Sequence, residues 1–180
     1  MILHPVFPSF IAIEQITLDN NLLEVYCKNQ VSNSNQSKYL NLSEDLLKPL
    51  LEKVTYLSNE ICKQIGLQSN QRVTRAWTNV NLNQAIVQPH SHTKSVFSSV
   101  YYVKGSIGSG DLTFMTPINC LGYVYNEDRI KERTDFNTTE ISIPPVSGTL
   151  VIFPSWLQHY VRQTNTERIS IAMETNYENV

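Results

Sequence analysis

From Arg72 onward the chain leaves helical spacing for short alternating and β-branched runs closed by turns, and this change decides the fold class. Val73-Thr74-Arg75-Ala76-Trp77-Thr78-Asn79-Val80 alternates. Ser95-Val96-Phe97-Ser98-Ser99-Val100-Tyr101-Tyr102-Val103 is β-branched and aromatic, and Asp111-Leu112-Thr113-Phe114 follows the Gly108-Ser109-Gly110 turn. Glu140-Ile141-Ser142-Ile143, Thr149-Leu150-Val151-Ile152-Phe153 and Arg168-Ile169-Ser170-Ile171-Ala172-Met173 complete the set. Strands at this spacing, with few helices among them, predict an all-β sandwich or jelly roll.

Upstream, Leu46, Leu47, Leu50, Leu51, Val54, Leu57, Ile61 and Ile65 form one apolar stripe at helical steps. Ser43 reads as its N-cap, with Glu44 and Asp45 in an acidic first turn. Pro49 divides it into a short turn and a longer helix, and Gly66 is its stop. This helix is expected to pack on the outside of the sheet as scaffold. Val6-Phe7-Pro8-Ser9-Phe10-Ile11-Ala12-Ile13 reads as an edge strand, where proline is tolerated. The Asn/Ser/Gln-rich residues 29–38 read as a loop, and the polar stretch 119–137 as a lid or binding rim. With no internal repeat, residues 1–180 form a single domain, 1–71 supporting a core at 72–176.

A net charge of −2 and a pI near 6.1 argue against bulk electrostatic binding to nucleic acid or acidic membrane, although Lys104, Arg129, Lys131 and Arg133 could line one edge. Cys27, Cys62 and Cys120 are odd in number and lack metal-knuckle spacing, so they read as free thiols. The N-terminus lacks the charged and apolar regions of a signal peptide, and no run reaches the ~18 apolar residues of a membrane span. These features predict a soluble, cytoplasmic protein.

The chemistry concentrates in the histidines. The chain has 4, and three lie in two short segments that read as β-structure: Gln88-Pro89-His90-Ser91-His92 and Phe153-Pro154-Ser155-Trp156-Leu157-Gln158-His159. Residues i and i+2 of a strand point the same way, and imidazole is the commonest nitrogen ligand for divalent first-row metals. An HxH pair closed by a distant histidine can hold a metal by one face and leave other positions open. Arg168 and Ser170 share one side of a strand that is expected to face inward. A buried arginine is costly without an anion. A ligand carboxylate would answer it by a bidentate contact; the competing reading pairs it with a surface acid such as Glu174. Ser98 and Tyr102 share a strand face and could present hydroxyls to the same anion.

These residues, from Trp77-Thr78-Asn79 through Pro89-His90-Ser91-His92, Phe97–Val103, Gly110-Asp111-Leu112-Thr113-Phe114, Gly148-Thr149-Leu150-Val151-Ile152-Phe153-Pro154 and His159 to Arg168-Ile169-Ser170, resemble the Fe(II)- and 2-oxoglutarate-dependent oxygenases with prolyl-hydroxylase-like cores. The resemblance covers residues 77–176. It implies a double-stranded β-helix (jelly roll, cupin-like) with a packed N-terminal α-helix. It also implies Fe(II), 2-oxoglutarate as cosubstrate and O2, with hydroxylation of an unidentified protein side chain or small molecule and release of succinate and CO2. By the same resemblance His90, His92 and His159 are the catalytic metal ligands. Arg168 grips the distal carboxylate of 2-oxoglutarate, with Ser170, Tyr102, Ser98 and Asn79 assisting. His92 stands where the family places an acid, and Asp111 is the alternative third ligand. Two rivals remain: a cupin-type three-histidine metalloenzyme without 2-oxoglutarate, which leaves Arg168 unused, and a non-catalytic jelly-roll binding module that would bind through residues 119–137 with Tyr123 and Tyr125.

Overall fold

The computed structural model describes residues 1–2, 9–31, 35–82, 84–118, 127–134 and 136–178. Among these described residues nine strands form two antiparallel sheets. The elements run β1 (Ala12–Gln15), α1 (Asn20–Gln30), α2 (Lys48–Gln64), β2 (Gln71–Asn81), β3 (Val87–His90), β4 (Phe97–Lys104), β5 (Leu112–Met115), β6 (Glu140–Ile143), β7 (Thr149–Pro154), β8 (His159–Val161) and β9 (Arg168–Tyr177). A five-stranded sheet has the order β1-β7-β4-β9-β2, and a four-stranded sheet the order β3-β8-β5-β6. The chain is therefore mostly antiparallel β with few helices, as its periodicity predicts.

The larger sheet is buried on both faces, and strand alternation sorts its side chains. Ala76 and Val80 of β2, Phe97, Tyr101 and Val103 of β4, Leu150 and Ile152 of β7, and Ile169, Ile171 and Met173 of β9 join one apolar cluster with Leu23, Cys27, Leu50 and Val54 of the helices. The alternate residues face the smaller sheet, where Tyr102, Val151 and Phe153 meet Leu112, Phe114 and Val161. The helices thus cover one face and leave the other free to build a site.

α2 starts later than its apolar stripe suggests. Residues before Lys48 form single turns, with Leu47 N–H donating to Glu44 O and Lys48 N–H to Asp45 O. Ser43 is not the cap: its N–H donates to Asn41 Oδ1, and no side chain caps the helix. Pro49 sits in the first turn, where its missing N–H costs nothing. At the other end Gly66, at φ +75°, lets Leu67 N–H reach back to Cys62 O at 2.8 Å, a Schellman closure.

α1 was not anticipated in the sequence reading. Its signals are Asp19, whose carboxylate accepts from Leu22 N–H at 3.1 Å, and the helical spacing of buried Leu23 and Cys27 with half-buried Tyr26. The expected edge strand is real but shifted, lying at Ala12–Gln15 against β7, and its first residues, 6–8, fall outside the described residues. Residues 29 and 30 belong to α1, and the rest of the expected 29–38 loop is described only at 31 and 35–38. Of the expected rim, 119–126 and 135 lie outside the described residues, with Cys120, Tyr123 and Tyr125 among them; Glu127–Arg129 is a short 3₁₀ turn. Cys27 and Cys62 are buried free thiols. No helix among the described residues is long and apolar enough to cross a membrane.

Lys104 does not join a basic edge. It lies 2.8 Å from Glu24 and 2.7 Å from Glu167, and Lys28 bridges the same two carboxylates at 2.7 and 3.1 Å. This partly exposed square ties α1 to β4 and to the residue before β9. The Lys104 hydrogen bond, then Lys28, holds Glu24 below its ordinary 4.5, and Lys104 does the same for Glu167. Groups with folded values below their unfolded ones stabilise the fold above the ordinary value and lose that contribution as pH falls through the folded one. Thermal melts should therefore lose stability below about pH 4.5. Lys104→Met should flatten that loss and cost ~0.2–1 kcal/mol per exposed pair at neutral pH.

Candidate active site

Two adjacent pairings bring the distant histidines together. β3 pairs with β8 so that His90 stands directly opposite His159, with ring centroids 4.4 Å apart. His92 lies beyond β3, not on it, in the segment that crosses from one sheet to the other. Its backbone N–H donates to Ser155 O at 2.8 Å, which anchors it beside the end of β7. Its ring then lies 5.1 Å from His90 and 5.3 Å from His159. One ligand atom from each of the three falls within 4.8 Å of the others. Asp111 is not part of this group; its backbone carbonyl accepts from Arg162 N–H.

Each imidazole has one nitrogen already engaged. His90 Nδ1 lies 2.8 Å from Gln88 O, His159 Nδ1 2.9 Å from Leu157 O, and His92 Nδ1 2.7 Å from Glu174 Oε1. A carbonyl oxygen only accepts, so the first two contacts require N–H at Nδ1 and leave Nε2 with its lone pair. Burial pushes His159 down to about 4 and His90 below its ordinary 6.5, so both rings are neutral at pH 7. Phe153 packs edge-on against His159 at 4.7 Å, and Trp77 stacks on His92 at 5.7 Å. His90 and His159 are therefore neutral, and all three rings are oriented and walled by aromatics, which suits a divalent cation.

The histidines open into a cavity of ≈ 410 Å³. Arg168, Ser170, Tyr102, Ser98 and Asn79 line it with them. Strand register explains this convergence. Ser170 stands between Asn79 on β2 and Tyr102 on β4, so three polar groups cross the sheet in one row. Arg168 stands opposite Asn81 and is 3% exposed. Its Nη2 donates to Asn81 Oδ1 at 2.8 Å and its Nη1 to Gly110 O at 2.9 Å, while Nε is buried without a partner. Gly110 is at φ +89°, and a Cβ there would meet Arg162 O at 2.7 Å, so glycine alone fits the turn whose carbonyl meets the guanidinium. Among the described residues no carboxylate pairs with Arg168; Glu174, the expected competitor, bonds His92 instead. Burial pushes Arg168 down and the Tyr102 hydroxyl well up. Ser98 is less available than expected, because its hydroxyl also bonds Ser155 Oγ at 2.8 Å.

Sequence reasoning missed Asn81, Glu174, Trp77 as a ring partner and the Gly110 carbonyl. Asn81 had a usable signal, since it is two residues from Asn79 on an alternating strand. The others depend on cross-sheet distances that no local pattern carries. His159→Ala should bind less divalent metal than one ion per chain while remaining folded. Metal content after gel filtration, with circular dichroism on the same sample, checks this; wild-type stoichiometry in the variant would contradict the site.

The donor set and the unanswered guanidinium fit a metal together with a dicarboxylate. A family model described as "Putative 2OG-Fe(II) oxygenase" matches residues 75–174, the span from β2 to β9 that carries the whole constellation. A search of curated protein sequences found no match. Among solved structures, a Pseudomonas putida prolyl-4-hydroxylase is similar in fold, with TM-score 0.65, 15% identity, and 94% of this chain and 93% of that one covered. The viral collagen prolyl hydroxylase of Paramecium Bursaria Chlorella virus-1, in a 2OG complex, has TM-score 0.61 at 10% identity over 94% and 96% of the two chains. HygX from Streptomyces hygroscopicus, with nickel and 2-oxoglutarate bound, has TM-score 0.59 at 10% identity over 94% and 82%. With the profile spanning more than half of its length, the chain belongs to the 2OG-Fe(II) oxygenase family and is an Fe(II)- and 2-oxoglutarate-dependent dioxygenase.

Proposed function

We propose that this dioxygenase hydroxylates a protein side chain or small molecule, with His90, His92 and His159 holding Fe(II) and Arg168 holding 2-oxoglutarate. The observation that carries the assignment is the buried guanidinium facing the histidine cavity with neutral partners only. Such a charge is costly until an anion meets it. When bound, iron and 2-oxoglutarate supply the activation of O2, with succinate and CO2 as coproducts.

The chain's own residues bind, orient and exclude. Nδ1 bonds to Gln88 O and Leu157 O keep the His90 and His159 rings from turning. Asn81 and Gly110 O hold the Arg168 guanidinium in place, which lowers the entropy lost when a carboxylate binds. Ser170 and Tyr102 are the assisting hydroxyls, with Asn79 beside them in the row and Ser98 a weaker contributor. Phe153 and Phe114 keep water from the His159 side.

The two-sheet architecture supports reading the core at 72–176 as a double-stranded β-helix, with residues 1–71 as its support in one domain. A reducing cytoplasmic setting is compatible with the free thiols Cys27 and Cys62.

Anaerobic titration with Fe(II) and then 2-oxoglutarate should give the charge-transfer absorption of a chelated complex. Oxygen uptake should be coupled to succinate; uptake without succinate would move the protein to the three-histidine dioxygenases. Arg168→Met should keep its metal but weaken 2-oxoglutarate binding by ~10–100-fold, since charged hydrogen bonds are worth ~1.5–3 kcal/mol each. Equal affinity in variant and wild type would remove Arg168 from that role.

A further inference from the structure

We propose that Glu174 is the positioning residue of the third metal ligand and supplies, through His92, the negative charge that a directly coordinated carboxylate supplies in a two-histidine-one-carboxylate site. The inference rests on the metal-site reading above and deepens it.

Three observations converge on Glu174. It is 5% exposed, and its Oε1 lies 2.7 Å from His92 Nδ1. Its other oxygen has no hydrogen bond, although Arg75 Nη1 approaches to 3.4 Å as an ion pair outside hydrogen-bond geometry. A carboxylate this buried, with one imidazole as its hydrogen-bond partner and one partly exposed arginine, is poorly compensated in the protein alone. A dication beyond the imidazole completes the compensation.

Position explains why Glu174 serves the metal and not Arg168. Both lie on the inward face of β9, in the alternating series Arg168, Ser170, Ala172, Glu174. Six residues of strand separate the two charges by about 20 Å. They cannot pair: Arg168 lines the cavity, and Glu174 lies behind the His92 ring. Glu174 stands across from Arg75 on β2 and Ser98 on β4, under the crossing segment that carries His92.

The chemistry follows from charge. Three imidazole ligands would leave a divalent ion with no anionic side chain bound to it. A carboxylate accepting from Nδ1–H raises the basicity of Nε2 and places one negative charge a ring's width from the ion. Trp77 stacked on the same ring and the Ser155 O contact at the backbone hold it for that exchange.

The test uses Co(II) and Zn(II) as probes, so its readout does not depend on turnover. Glu174→Gln keeps an acceptor oxygen and removes the charge. It should lower Co(II) affinity by ~10–100-fold and shift the d–d absorption of the Co(II) protein. In a His92→Asp background the carboxylate would meet the ion directly and Glu174 would have no imidazole to act through. There Glu174→Gln should change Co(II) affinity much less. Unchanged affinity and spectrum in Glu174→Gln, or the same loss in both backgrounds, overturns the proposal. Should Glu174→Gln fail to fold, the wild-type Zn(II) protein decides. Nitrogen–proton correlation should give an exchange-protected His92 Nδ1–H signal, assigned by its loss in His92→Gln; its absence, or zinc on Nδ1, overturns the proposal. A wild-type chain that binds neither probe would instead sink the metal-site reading itself.

Discussion

The five-stranded sheet is buried twice, and everything else depends on the two faces meeting different neighbours. One face lies under α1 and α2 and is mostly apolar. The other closes against the four-stranded sheet and carries Arg168, Ser170, Tyr102, Asn79 and Asn81. On β9 the two roles alternate residue by residue: Ile169, Ile171 and Met173 go to the helices, and Arg168, Ser170 and Glu174 go to the interior. A slip of one residue in the pairing with β2 or β4 would exchange these sets, placing charges under the helices and aliphatic side chains in the cavity. The apolar face thereby holds the register on which the polar face relies.

Neither face stands without the other. Buried polar groups require partners, and register supplies one directly: Asn81, opposite Arg168, accepts from its Nη2. The bulge between Tyr102 and Lys104 ends the row of Asn79, Ser170 and Tyr102, and Lys104 is turned to the charged square with Glu24, Glu167 and Lys28. The β4–β9 strand pair thus separates an interior polar row from an exterior charge cluster within two residues.

The parts legible in the sequence are those governed by local periodicity or by an unusual residue type. The main strands, the Pro49 start and Gly66 stop of α2, and the inward face of Arg168 and Ser170 all follow from spacing and from backbone chemistry. Three histidines out of 4 in two short segments pointed to one site, and the β3–β8 pairing places two of them face to face. What failed has physical causes. α1 is a short helix with only two buried side chains, so its stripe is faint. Ser43 looked like a cap, but its N–H is taken by Asn41 Oδ1, single turns follow it, and the helix begins only at Lys48 with Pro49 in its first turn. His92 was placed on a strand with His90, whereas the chain leaves β3 at His90 and crosses between sheets. Glu174 was considered as a partner for Arg168; pairing distance along a single strand excludes that, and only the tertiary fold brings it to His92.

The residual imbalance of the interior follows the same geometry. Among the described residues, the charged side chains with a buried, unbonded polar atom are Arg168, at Nε, and Glu174, at Oε2. They sit at opposite ends of one strand face, and on the proposed assignment the cation faces the cosubstrate and the anion faces the metal. The guanidinium keeps its charge at any accessible pH, so its demand for a counterion is permanent. Ligands that bind only the folded state stabilise it by mass action. On the proposed assignment the dicarboxylate and the metal would contribute to the fold as well as to the chemistry, each at the end of β9 where protein groups alone leave a charge incompletely answered. An interior built to full polar satisfaction would be more stable empty and would bind its cosubstrate and metal less well.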